Sequence, residues 1–447
     1  MSFGQRWREV REGFERPFWV ANLTELFERL AYYATFSVLA IYLHETLQFS
    51  EEQSGDLIGF FSAVVWFLPI LGGTLADWLG FRKSLALAYL VLGAGYFLLG
   101  SLSAPWMAPL RESMPLTTLV VLVLAVPACG PAIVKPCVVG TTARSSRENV
   151  RSIGYSIYYT LVNVGSTFGP LVALAVRRSL GIENVFRVSS GCALLMFVAV
   201  VLFYREPRGA GAPGQTSFGQ AFRNLFTVLG NFKFMLFLVI FSGYWIIFWQ
   251  EFIALPLFLR GHVNPNSDVE FLLTVDPLTV IFLQIAISQW TSKIRPFPAM
   301  TLGILVTSLS WVVFALADLT WLIDGSWRIG PWTISATGVP VWGIAALVIL
   351  AVGEMIQSPR FYEYVSRLAP AGQQGVYMGF AFLPIAIGSA LAGMIGGRLV
   401  AYFGQAGREP QNLWWVVAAI GMVTALLLWL YNRVAKPFAA SDAAREN

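Results

Sequence analysis

The chain has 447 residues, of which 56% are hydrophobic and only 12% charged, whereas an ordinary soluble protein carries about 25% charged residues. That balance excludes a water-soluble globule: many runs of about 20 residues are apolar all round, as a helix in a hydrocarbon slab must be, and no short alternating barrel strands stand out. The formal net charge of +5 comes from basic residues scattered among the connections between those runs, which argues against a nucleic-acid surface and for membrane topology.

Apolar runs and their polar breaks predict an all-α membrane protein with twelve transmembrane helices, near 18–44, 54–79, 83–104, 115–141, 152–177, 184–204, 232–259, 270–292, 297–319, 338–368, 374–402 and 411–432. Residues 1–17 form a tail with Arg6, Arg8, Arg11 and Arg16 among acidic residues, and no short apolar region with a cleavage site follows, so no removable signal peptide is expected.

The first span, FWVANLTELFERLAYYATFSVLAIYL, places Glu25, Glu28 and Arg29 in mid-helix, where each ionised side chain costs about 2.5–3.5 kcal/mol on insertion scales. Glu25 and Arg29 are four apart, as are Glu28 and Tyr32, and Arg29 and Tyr33. The polar groups therefore share a face that must line protein or water, with Glu25 pairing to Arg29 and one carboxylate left over. The loop after it, HETLQFSEEQSGD, is acidic. Between spans two and three, GGTLADWLGFRKS has small residues, then Asp77, Arg82 and Lys83, read as a cytoplasmic charge latch.

Span four carries Lys135 within ACGPAIVKPCVVG, and span ten carries Glu354 within AVGEMIQSPRF. Opposite charges thus stand in opposite halves of the chain, a matched pair of poles for a ligand with both an amino and a carboxylate group. Glycine and proline interrupt the spans at Gly130-Pro131, Pro136, Gly169-Pro170, Pro277, Pro359 and Pro384; these are expected bending points.

The longest polar break, residues 205–231, is rich in Gly, Pro and Arg and reads as a cytoplasmic linker. It separates two six-helix bundles, 18–204 and 232–432, before a tail at 433–447. Six plus six spans is the layout of the major facilitator fold, with substrate near the bilayer midplane between rocking halves. Arg and Lys concentrate in the connections on the side of the tails, so both termini are expected in the cytoplasm. Cys129, Cys137 and Cys192 lie in apolar runs with no CxxC or His cluster, so no metal, disulfide or other cofactor is expected. The sixteen Trp and fifteen Tyr read as interfacial belts against membrane lipid.

Several motifs resemble one family, the proton-dependent oligopeptide transporters (POT/PTR) of the major facilitator superfamily. ELFERLAYY, Glu25 to Tyr33, is similar to that family's ExxERFxYY signature, with Leu30 where Phe is usual. GGTLAD resembles the general facilitator loop motif, and IVKPCVVG the family's span-four segment, with Cys137 replacing Asn. SIYYTLVNVGSTFGP matches span five through Asn163 and Gly165, while GEMIQSP and RLAPAGQQGVYMG match span ten and the start of span eleven.

The resemblance implies symport of di- and tripeptides, or similar small zwitterionic solutes, with protons, by a protein of a prokaryotic plasma (inner) membrane. It implies that Glu25, Glu28, Arg29 and Lys135 couple proton movement to gating and that Asp77 and Arg82 form the gating motif. Substrate contacts would come from Arg29, Tyr33, Trp66, Lys135, Asn163, Trp245, Asp276 and Glu354, with Glu354 taking the amino group. The departures touch the pocket: Trp66 replaces a usual Tyr, Asp276 a usual Asn and Ala381 a common Trp, while Trp249 stands where an acid is frequent, with Glu251 displaced by two. The linker also lacks room for the two extra helices of many bacterial relatives.

A transporter of the same fold for another small solute or a drug is the nearest rival. A membrane enzyme would need His, Asp, Ser or Cys near one interface, yet His44 and His262 lie in outer loops without partners at triad or ligand spacing. A receptor without turnover would have no use for the paired carboxylates.

Overall fold

The computed structural model describes residues 13–70, 79–207, 226, 228–329, 332–369 and 374–435. Its long helices in chain order are α1 (Arg16–Ile41), α2 (Glu51–Phe67), α3 (Phe81–Leu99), α4 (Leu116–Arg144), α5 (Arg151–Leu180), α6 (Ile182–Phe203), α7 (Phe232–Phe248), α8 (Val275–Thr291), α9 (Pro296–Leu316), α10 (Val341–Leu368), α11 (Leu383–Phe403) and α12 (Leu413–Ala435). Among the described residues, ten helical segments are long and apolar enough to cross a membrane, and the chain is an integral membrane protein. Those ten do not include α1, whose middle holds three charged residues, or α2, described as an α-helix for 17 residues.

Ends are set by local chemistry. Ser50 caps α2 in a capping box with Gln53, each side chain accepting from the other's backbone N–H, and Pro17 opens α1, where a missing N–H costs nothing. Pro131, Pro136, Pro170 and Pro359 lie inside helices that nevertheless continue. The expected break at Pro384 is where α11 starts, after a turn that separates it from a short helix over Gln374–Phe380. The seventh span is irregular: beyond α7 it passes through a 3-10 turn at Trp249–Glu251, a helix at Ala254–Phe258 and a wide turn at Leu259–Val263.

A strand pair, absent from the sequence reading, joins α9 to α10. β1 (Leu322–Ile329) and β2 (Trp332–Pro340) pair antiparallel from Leu322 opposite Pro340 to Ile329 opposite Trp332. Two-stranded hairpins are marginal alone, and this one is tethered. Asp324 Oδ1 accepts from the Gly338 N–H at 2.8 Å, and Ser267 Oγ donates to the Gly338 carbonyl at 2.8 Å.

The first six helices pack mainly on one another and so do the last six; α2 against α11 and α5 against α8 join the two groups. We call the end where α1 begins the near end. Among the described residues, every ion pair between the two groups lies at the opposite, far end: Arg177 with Glu270 and Asp268, Arg178 with Asp268, Glu45 with Arg260, and Asp56 with Arg398. There α2 and α11 touch backbone to backbone. A Cβ on Gly55 would stand 2.3 Å from the Gly393 carbonyl oxygen, so only glycine permits the contact. The far end is closed.

Candidate functional site

Helix α1 packs on α5 and α6 and also touches α4. Asn22 Nδ2 donates to Thr142 Oγ1 of α4 at 3.1 Å, and α5 comes so close that a Cβ on Gly165 would lie 2.6 Å from the Leu26 carbonyl oxygen. This packing buries Glu25, Glu28 and Arg29, which are 0%, 1% and 3% exposed. Arg29 Nε donates to Glu28 Oε2 at 2.5 Å and stands 3.5 Å from Glu25 Oε1. The sequence reading gave Arg29 to Glu25 and left a carboxylate over; one guanidinium in fact serves both, because its planar fork reaches the neighbouring residue as well as the one a turn away. The remaining oxygens, both of Glu25 and Oε1 of Glu28, accept no hydrogen bond among the described residues.

Lys135 feels the charges of Glu25, Glu28 and Arg29 but forms no ion pair among the described residues. Its Nζ lies 3.8 Å from the centre of the Trp66 ring and 5.6 Å from that of Phe382, a cation–π arrangement of the kind that holds desolvated ammonium groups. Trp66 is 6.0 Å from Phe382 and 6.1 Å from Trp249, centre to centre. Trp66 comes from the first half of the chain, and Trp249 and Phe382 from the second. Ala381, fully buried, is followed by the ring that covers Lys135. The indole N–H groups of Trp66, Trp245 and Trp249 have no acceptor among the described residues.

A cavity of about 620 Å³ lies between α5, α8 and α10, and its wall includes Tyr155, Tyr158, Tyr159, Asn163, Val280, Gln284, Glu354, Ser358 and Tyr362. By helix direction it runs from Asn163 and Glu354 toward the near end. It contains Asn163 and Glu354 of the expected binding residues. Arg29, Tyr33, Trp66, Lys135, Trp245 and Asp276 are outside its wall. Tyr33 joins the two sets: it feels the charges of Arg29 and of Glu354, Asp276 and Glu251. Glu251 is fully buried, and neither of its oxygens has a hydrogen-bond partner among the described residues. The sequence reading noted it only as displaced, and the local 3-10 geometry that places it has no simple sequence signal.

At the near end Arg82 donates through its backbone N–H to Glu206 Oε1 at 2.8 Å and through Nη2 to the Val201 carbonyl at 2.6 Å. Its expected companion Asp77 lies outside the described residues. His44, expected to have no partner at ligand or triad spacing, has its Nδ1 2.8 Å from the Phe49 carbonyl, a local contact that closes the α1–α2 turn.

Closed at one end, open through a cavity at the other, and carrying charges in mid-helix, this architecture is that of a membrane transporter. The Major Facilitator Superfamily model matches residues 22–327, and the POT family model matches residues 268–408. The chain belongs to the major facilitator superfamily, and its residues 268–408 are similar to the POT family. Over 412 residues it is 22% identical to multidrug resistance protein MdtH of Salmonella paratyphi B, covering 91% of this chain and 92% of that one. A POT family transporter in complex with 5-aminolevulinic acid superposes with a TM-score of 0.72 at 16% identity, covering 93% of this chain and 96% of the other. The nucleoside transporter NupG does so at 0.73 and 13% identity, covering 93% and 99%. At these identities the likeness is one of fold.

Proposed function

We propose that the chain is a proton-coupled symporter that takes di- and tripeptides or similar small zwitterionic solutes across a prokaryotic inner membrane by alternating access. In this reading α1 and α2 also cross, making twelve spans in two bundles (18–204 and 232–432) about a cytoplasmic linker at 205–231, with tails at 1–17 and 433–447. The near end is cytoplasmic, and the form described above is open to the cytoplasm. The observation that carries the reading is the distribution of buried charge. Glu25, Glu28, Arg29 and Lys135 stand in the first half, and Glu354 with Asn163 lines the cavity opposite.

The coupling follows from charge balance. Arg29 is shared by two carboxylates, so a proton on either loosens its hold and frees guanidinium donors for a ligand carboxylate. Lys135, held by aromatic faces rather than by a carboxylate, can add a second cation to that anion. The ligand's amino group goes to Glu354. A carboxylate that is paired in one state and desolvated in another changes its proton affinity between them, and proton binding thereby biases the rocking equilibrium. Asp77 and Arg82 belong to the cytoplasmic gate.

The test is uptake of labelled dialanine into proteoliposomes under an inward proton gradient. Accumulation that collapses with an uncoupler and is competed by tripeptides supports peptide symport, whereas no uptake by folded protein sinks it. A drug or other small solute is the second reading, favoured by the 22% identity to MdtH and by the departures at Trp66, Asp276 and Ala381 from the residues usual in the family that the motifs resemble. Competition of dialanine uptake by a panel of cationic drugs separates the two.

A further inference from the structure

The seventh span leaves α-helical geometry at Trp249–Glu251, and irregular backbone at membrane depth is tolerated only inside protein or beside a watery cavity. Glu251 sits on that turn, fully buried, with neither carboxylate oxygen accepting a hydrogen bond among the described residues. Asp276, in the first turn of α8, is 7% exposed and its Oδ1 is unpartnered. Asp276, Val280 and Gln284 are spaced by four and share one helix face. Val280 and Gln284 line the cavity, so Asp276 stands on the same face about 6 Å further along the axis. Glu354, on the adjoining wall, is within electrostatic reach of both Asp276 and Glu251. Among the described residues no Lys, Arg or His forms an ion pair with any of the three. The cavity wall that leads to them has tyrosine rings and no basic residue, and aromatic faces favour cations.

Buried charge without a partner is costly. A ligand with a single ammonium group can pair one of these carboxylates and leaves two. Cations brought by the ligand are the remaining means, besides protons, of balancing them. We propose that the Glu251, Asp276 and Glu354 pole selects ligands carrying two positive charges, an α-amine together with a side-chain amine or guanidinium, and that Asp276 is the residue that sets this preference. Glu354 holds the first cation, and Asp276, deeper on α8, holds the second, with Glu251 behind them. This rests on the proposed assignment of the cavity as the substrate site.

The test is direct binding by calorimetry to the purified full-length protein, with no proton gradient, using alanyl-lysine, dialanine and 1,4-diaminobutane as probes. Wild type is expected to bind alanyl-lysine about tenfold tighter than dialanine and to bind the diamine measurably. In Asp276→Asn the ratio is expected to fall to about twofold, and Asp276→Glu, which keeps the charge, is expected to restore it. Equal affinity for the two peptides in wild type, or an undiminished ratio in a folded Asp276→Asn protein, overturns the proposal. Preference for alanyl-lysine without proton-driven uptake would remove the symport reading alone; proton-driven uptake without that preference would remove this one alone.

Discussion

The two halves of the molecule treat buried charge in opposite ways. In the first half Glu25 and Glu28 converge on Arg29, and Lys135 rests on aromatic rings nearby. In the second half Glu251, Asp276 and Glu354 have no basic partner among the described residues. The lesson is that an intramembrane charge has two distinct meanings. A self-paired set can switch by exchanging partners. An unpaired set waits for something from outside, a proton or a ligand.

Substitutions can break that comparison. The largest effect is expected from Arg29→Ala, which strands two buried carboxylates and should destabilise the protein by about 3–5 kcal/mol, read as a fall in unfolding midpoint in detergent; wild-type stability would mean that another cation already serves them. Glu28→Gln and Lys135→Ala are each expected to abolish gradient-driven uptake, with counterflow exchange surviving in at least one, and undiminished uptake in both would remove the coupling assignment. The opposite sign is expected in the second half: Glu251→Gln relieves an unpaired buried charge and should stabilise the ligand-free protein by about 1–3 kcal/mol in the same unfolding assay.

Smaller effects belong to the far end. Arg178 donates to Asp268, to Ser335 and, at 2.9 Å, to Thr337, so Arg178→Ala should shift the balance toward a far-end-open form by about 0.5–1.5 kcal/mol. Spin labels at Leu180→Cys and Trp327→Cys would report it as a longer or broader distance. Arg398 and Asp56 are 49% and 44% exposed, so Arg398→Ala should change stability by less than about 1 kcal/mol. A larger loss there would show that the pair is shielded when lipid surrounds the protein.

Much of this was legible in residue order. Apolar runs mark helices because a backbone in hydrocarbon must satisfy its own hydrogen bonds, and the helices fall within a few residues of the runs in most cases. The i, i+4 spacing of Glu25 and Arg29 announced a polar face, and the motif from Glu25 to Tyr33 pointed to the POT family. Less legible were the hairpin at Leu322–Pro340, tied at Gly338 to Asp324 of its own first strand and to Ser267 outside it, and the site residue Glu251, whose position depends on a one-turn change of helix geometry.

The sequence by itself determined that the chain is a membrane protein, where its helices run and which of them carry charge, because those follow from periodicity and solvent alone. Only the tertiary structure decided how the charges are shared. That Arg29 serves two carboxylates, that Lys135 lies between rings from both halves and that the ion pairs between the halves gather at the far end all depend on which helices meet. Meeting is controlled by contacts such as Gly55 on Gly393, between residues far apart in the chain, which no local pattern encodes.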